Sequence, residues 1–269
     1  MKRIFALLLA VTMCLSLAAC DDSAPGKAGN DEQTGKGDLA YVQDKGTLVV
    51  GITEFAPMDY QDAEGNWIGF DADMAAAFAN SLGVTAEFRL IVWDDKIDLL
   101  NDKTIDVVWN GMTLNDEVKA NMETSNPYFN NAQVVVVRAD AADRYQTVES
   151  LADAVCALEP GAGLDAAAAH GLSYVEVKSQ ATALQNVSDG TYDAAIIDFL
   201  MAIAMIGEGS AYEDLTYTVS LSSEEYGVGF RKGSDLAAEL NGFFAANYAG
   251  GTMQSVARTY GISAFLLAQ

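Results

Sequence analysis

The chain has 269 residues and a mass of 28.5 kDa, a length that suits one large or two modest domains. Apolar residues make up 51% of it, so a real core can form and general disorder is excluded, while 15 Lys+Arg against 38 Asp+Glu leave a formal charge of −23 that repels phosphate backbones and anionic lipid headgroups. One histidine and three cysteines exclude most zinc and haem sites and any disulfide scaffold.

Lys2 and Arg3 precede an uncharged apolar run over residues 4–19. A basic start and a short apolar stretch describe a secretory signal, too short for a comfortable membrane span. The run ends in Leu17-Ala18-Ala19-Cys20, which resembles a bacterial lipobox. On that reading residues 1–19 are a lipoprotein signal peptide and Cys20 becomes the lipidated first residue, carrying diacylglycerol and palmitate. The alternative is an ordinary secreted protein with a chance cysteine. Residues 20–45, rich in Asp, Gly, Lys, Ser and Asn, read as the lipidated cysteine and a flexible tether. Cys156 lies in an apolar run without a basic neighbour and reads as a small buried hydrophobe.

From there strands and helices alternate. Leu48-Val49-Val50-Gly51-Ile52 is a short apolar run, as in a strand buried on both faces. Asp71 can cap a helix whose Met74, Phe78 and Leu82 recur every fourth residue, with Gly83 where a C-terminal cap belongs. Strands are expected at residues 105–109, 134–137, 155–158, 174–177 and 194–197. Helices are expected near 163–170, 179–188 and 199–206. The pattern predicts an α/β fold with mostly parallel sheets, whose ligand site lies at the carboxyl ends of the strands. His170, in an alanine-rich helical stretch, reads as a surface or helix-end residue. Trp67 and Trp109 read as structural, and the acidic run Ser223-Glu224-Glu225 as a solvated face.

Several segments are similar, in order, to the extracellular solute-binding proteins of family 3, the amino-acid type. The opening segment Leu48 to Tyr60 resembles that family's first strand and loop. Gly69-Phe70-Asp71-Ala72-Asp73-Met74 resembles its Gly-Phe-Asp-x-Asp-Leu helix start. Ile105-Asp106-Val107-Val108-Trp109-Asn110-Gly111-Met112-Thr113 resembles its strand and binding loop. Asn126-Pro127-Tyr128, the segment from Gly190 to Asp198, Glu225 to Gly233, and Gly250 to Gly261 follow in register. The resemblance spans about residues 46–263. It implies a two-lobed, periplasmic-binding-protein-like fold of type II, with a ligand cleft between lobes joined by two hinge strands. Lobe 1 would be residues 46–130 plus 227–269, and lobe 2 residues 131–226. It further implies a monomeric substrate-binding lipoprotein, anchored outside the cytoplasmic membrane, that needs no cofactor. It would pass an amino acid or related amine to an ABC permease and its ATPase.

The resemblance also assigns site residues. Asp198 stands where the family grips the α-ammonium, and it can cap the helix that follows at the same time. Phe55 and Trp93 match aromatic positions that sandwich the ligand side chain, although core packing is their commoner fate. Asn110, Gly111 and Thr113 match a loop that presents backbone groups and a hydroxyl. Two departures matter. The family's carboxylate-clamping arginine is replaced by Val118, with Lys119 one step, about 100°, around the helix. The second lobe's hydroxyl-bearing loop is replaced by Glu159-Pro160-Gly161-Ala162-Gly163, where the backbone amides of Ala162 and Gly163 remain and Glu159 adds negative charge. Glu54 adds another beside Phe55. Either the ligand is cationic and lacks an α-carboxylate, or it is an ordinary amino acid held by Lys119 or by the 161–163 amides. Two further classes stay open. One is a dehydratase-like enzyme using Glu54 or Glu159 as a proton donor; the other is an extracytoplasmic sensor subunit with a separate signalling partner. The sequence holds no Ser-His-Asp set, metal-ligand cluster or P-loop.

Overall fold

The computed structural model describes residues 37–269. The expected signal peptide, Cys20 and the tether as far as residue 36 lie outside the described residues. In the first half the order is α1 (Asp38–Lys45), β1 (Thr47–Ile52), β2 (Tyr60–Gln61), β3 (Trp67–Ile68), α2 (Phe70–Ser81), β4 (Thr85–Leu90), α3 (Lys96–Asn101), β5 (Val107–Thr113), α4 (Asp116–Asn121), β6 (Met122–Thr124) and β7 (Phe129–Asn131). A second set follows: β8 (Gln133–Arg138), β9 (Val155–Leu158), α5 (Ala162–His170), β10 (Ser173–Glu176), α6 (Gln180–Ser188), β11 (Ala194–Asp198), α7 (Phe199–Met205) and β12 (Leu215–Ser220). The chain then returns through β13 (Glu224–Arg231), α8 (Leu236–Ala249) and α9 (Thr252–Thr259).

Two large sheets result. The first runs β4-β1-β5-β13-β6, with β7 also paired to β13; the second runs β10-β9-β11-β8-β12. Both are mixed. β1 is parallel to β4 and β5, and β9 to β10 and β11. The strands that cross between the sheets, β8 and β13, pair antiparallel. The expectation of mostly parallel sheets is therefore corrected. A chain that crosses between sheets and back must enter each against the direction of its βα units. The crossings fall at Asn131 to Gln133 and at Ser220 to Glu224, next to each other in space: Gln133 N donates to Ser222 Oγ at 2.8 Å.

Each sheet carries its own core. Val134 to Val137 are all buried, with Val135 and Val137 in one cluster and Val134 and Val136 in another, as the two-residue period of a strand covered on both faces requires. The first sheet packs Phe70, Phe78, Trp109, Tyr128 and Phe244 into one aromatic-rich cluster. Among the described residues no helix is long and apolar enough to cross a membrane.

Three local expectations are corrected here. The tether reading fails over its last turns, because Asp38–Lys45 is a helix with Val42 fully buried in the first core. Ionic contacts tie that helix down. Arg231 Nε donates to Asp38 Oδ2 at 3.0 Å, and Lys45 Nζ pairs with the buried Asp106. Second, Gly69 occupies the N-cap of α2, and Asp71 sits inside the first turn without capping it. Asp71 is buried and reaches across to accept from Gly111 N (2.6 Å) and the Tyr128 hydroxyl (2.8 Å). Third, Glu224 of the acidic run is not solvated: it accepts from Gln133 Nε2 at 2.8 Å and Asn131 Nδ2 at 2.9 Å. His170 is the exposed last residue of α5, and Cys156 is buried.

Candidate ligand-binding site

Between the two sheets lies a cleft of about 840 Å³, within the 300–1,000 Å³ range of small-ligand pockets. Glu54, Phe55, Trp93, Asn110, Gly111, Thr113, Glu159, Ala162, Gly163 and Asp198 all line it. Each sits where strand gives way to loop or helix. Glu54 and Phe55 follow β1, Asn110 to Thr113 end β5, Glu159 follows β9, and Asp198 ends β11. These are the carboxyl ends of the parallel strands, the expected location in an open α/β sheet.

Asp198 dominates the chemistry. It is 5% exposed and occupies the N-cap of α7 without making a side-chain cap bond. Its Oδ1 accepts from Asn131 Nδ2, from Gln133 Nε2 (3.0 Å) and from the Tyr226 hydroxyl (2.7 Å). Its Oδ2 accepts from Gln180 Nε2, whose Oε1 in turn accepts from Asp198 N at 2.9 Å. Burial raises its pKa, against the opposing pull of those neutral donors, Tyr226 first. A carboxylate oxygen has two lone pairs. Oδ1 is crowded with three donors, while Oδ2 has one and keeps room for another.

The first lobe supplies walls. Asn110 is buried and spends its amide on Thr53, accepting from Thr53 N and donating to Thr53 Oγ1 at 3.0 Å. Gly111 has φ +55, and a Cβ there would overlap the Phe55 ring, so a glycine is needed both for conformation and for space. Its N–H is taken by Asp71. Phe55 packs edge-on to Tyr226, with centroids 6.2 Å apart. Trp93, in the 3-10 turn Trp93–Asp95, approaches Gly161 across the cleft; a Cβ on Gly161 would lie 3.2 Å from Trp93 Nε1. A second contact joins the lobes, Asn115 Nδ2 to Asp165 Oδ2 at 2.9 Å.

Val118 is buried in an apolar cluster with Trp93 and Ile97 packed against it. Lys119 lines a separate, smaller cavity behind the hinge with Glu224 and Glu225, and does not reach the main cleft. The cleft's lysines are instead Lys96 and Lys178. Sequence reasoning missed Lys96, Gln180, Asn131, Gln133, Tyr226 and Glu224. A signal existed for some of them. Lys96 stands three residues after Trp93, the spacing that stacks side chains on a helix. Gln133 is the polar residue leading an otherwise apolar strand.

Two more carboxyls belong to this electrostatic unit. Glu159 is pushed up to about 7 by burial and then by Asp198, with Lys96 pulling the other way. Glu224 is pushed up to about 7 by burial and then by Asp198, while Gln133, Thr113 and Asn131 support its charged form. Both folded-state values exceed the ordinary 4.5, so the folded protein holds these protons more firmly than the unfolded chain does. Their contribution to stability is full below about pH 4.5 and is lost as pH rises through about 7. Melting of the ligand-free protein between pH 4.5 and 8 should show this decline, and Glu159→Gln should flatten it. A decline of equal steepness in Glu159→Gln would remove Glu159 from this account.

The family model of the bacterial extracellular solute-binding proteins, family 3, matches residues 48–263. The chain belongs to that family and is a two-lobed solute-binding protein. It is 28% identical over 231 residues to the L-cystine-binding protein TcyJ of Escherichia coli, covering 84% of this chain and 86% of that one. The arginine-bound form of ArgBP from T. maritima, a Gly52Ala mutant, is 32% identical with a TM-score of 0.70, covering 76% of this chain and 97% of that one. The cyclohexadienyl dehydratase of Pseudomonas aeruginosa is 25% identical over 170 residues, 61% of this chain and 63% of that one. TcyJ and ArgBP, matched over 86% and 97% of their own length, are binding proteins, and the dehydratase is matched over 63% of its own.

Proposed function

We propose that this protein captures a cationic amino acid or amine in its cleft and delivers it to the permease of an ABC importer, whose ATPase drives uptake. The observation that carries the reading is the charge of the cleft wall. Glu54, Asp94, Glu117, Glu159, Glu176 and Asp198 line it against two lysines. Such a wall attracts a cation and repels an acidic ligand. Phe55 and Trp93 add aromatic surface suited to a guanidinium or ammonium. The arginine-bound ArgBP and the cystine-binding TcyJ support an amino-acid-like ligand. Lipidation at Cys20 would keep the protein at the outer face of the cytoplasmic membrane, next to the permease. Ligand-driven closure of the lobes would mark the loaded state for it.

One observation favours a second reading. Glu159 holds a proton near neutrality inside the cleft, as a catalytic acid would, and the dehydratase is a relative. A recovery experiment separates the two. Protein incubated with arginine, lysine or ornithine, then washed and denatured, should return the same compound at unchanged mass. Return of a dehydrated or otherwise altered product would overturn the transport reading.

A further inference from the structure

Lys96 opens α3 directly behind the Trp93–Asp95 turn and is 5% exposed. Its ammonium lies 4.9 Å from the Trp93 ring centroid and donates a long bond, 3.3 Å, to Trp93 O. An ammonium carries three N–H donors. Lys96 has no second hydrogen-bond partner and no ion pair among the described residues. A cation removed from water without a direct ion pair is costly, and this one is held at the wall of a ligand cleft, where Glu117, Asp94 and Glu159 act on it without contact.

Its position has a chemical sense. Val118 fills the slot where a clamping arginine would stand, and Trp93 packs against the same cluster as Val118. The ammonium on the Trp93 ring, influenced by Glu117 next to Val118, therefore comes to that neighbourhood from the opposite element. Lys96, Glu159 and Asp198 line the same cleft, so its wall offers both an anion and a cation to a zwitterionic ligand. Asp94 and Glu117 are exposed, and neither makes an ion pair with Lys96.

We propose that Lys96 receives the ligand's carboxylate, so that the ligand is an α-amino acid and not its decarboxylated amine. The proposal rests on the solute-binding reading above and names the substrate class for it. A decarboxylated amine would bring further positive charge towards Lys96 and leave its ammonium unneutralised.

Calorimetric titration of the purified protein with matched pairs tests this: arginine with agmatine, lysine with cadaverine, ornithine with putrescine, and leucine with isoamylamine. The native protein should prefer the acid-bearing member of each pair it binds. In Lys96→Met that member should weaken by about 10-fold or more, the scale of a charged hydrogen bond, while the amine holds or improves. Lys96→Arg should keep the preference. Without ligand, Lys96→Met should melt at the same or a higher temperature, since it removes an unpaired buried charge; a purely structural lysine would give the reverse. The proposal is overturned if the native protein binds amines as tightly as acids, or if Lys96→Met keeps the discrimination. Binding of the leucine pair alone would sink the cationic reading while that pair still reports on Lys96. Binding of no pair would overturn both.

Discussion

Asp198→Asn should weaken binding of any ligand with an α-ammonium by about 10- to 150-fold, the equivalent of losing a charged hydrogen bond of about 1.5–3 kcal/mol. The substitution keeps size and shape. An asparagine carbonyl can take the Oδ1 position and still accept from Asn131, Gln133 and Tyr226. Its amide then faces Gln180 Nε2, donor against donor, which is a single mismatch. The variant should fold, and the loss should appear in the dissociation constant. Neutralising Asp198 also removes the charge that helps hold Glu159 and Glu224 protonated, so both should titrate lower in the variant. Unchanged affinity in a folded Asp198→Asn would show that the ammonium is gripped elsewhere, with Glu54 and Glu159 the next residues to replace.

Arg231→Met should be the most destabilising of the substitutions considered. Arg231 is 8% exposed at the end of β13. Its guanidinium donates to Leu100 O (3.2 Å) and Ile105 O (2.9 Å), pairs with Asp38 at 3.0 Å, and lies 3.6 Å from the buried Asp106. Methionine fills part of the space but supplies none of the donors. It leaves two carbonyls and Asp106 short of a partner, and frees α1. Breaking a buried ion pair from one side costs roughly 3–5 kcal/mol, a fall in melting temperature of about 6–20 °C for a domain of this size. The cluster is remote from the cleft lining, so ligand affinity should change little. A melting temperature within a degree or two of the native protein would show that α1 and its ionic contacts contribute little to the fold.

Much of the architecture was legible because it depends on local pattern. The valine run at residues 134–137 was legible as a strand from its four consecutive β-branched residues. Val155–Leu158 and Ala194–Asp198 were equally plain, as β-branched and small apolar residues between turn signals. Contacts made over long separations were not. Asp38–Lys45 has four polar residues flanking Leu39 to Val42, buries only Val42, and is held by Arg231 from 193 residues away. No window of sequence contains that pairing. The direction of β8 and β13 was hidden for a related reason, since a strand's own residues do not say which neighbour it will meet.

The site shows the same division. Gly111 and the loss of the arginine at Val118 were readable from the family resemblance. Glu224 was misread because two glutamates in a row look solvated. Asn131 and Gln133, brought alongside by the paired crossings, turn one of them into a hydrogen-bonded neighbour of Asp198. Lys119 is adjacent to Val118 in sequence but lines the smaller cavity, whereas Lys96, from a different element, lines the cleft.

The central claim is that an acidic cleft selects a cationic amino acid. The most direct measurement is a thermal-shift panel on the purified protein at pH 8, with arginine, lysine, ornithine, glutamine, aspartate and glutamate each supplied in excess. A ligand at 100 times its dissociation constant should add about 2.7 kcal/mol to stability, a shift of about 5–11 °C. The cationic amino acids should stabilise the protein and the acidic ones should not. Stabilisation by glutamate or aspartate above every cation would contradict the claim.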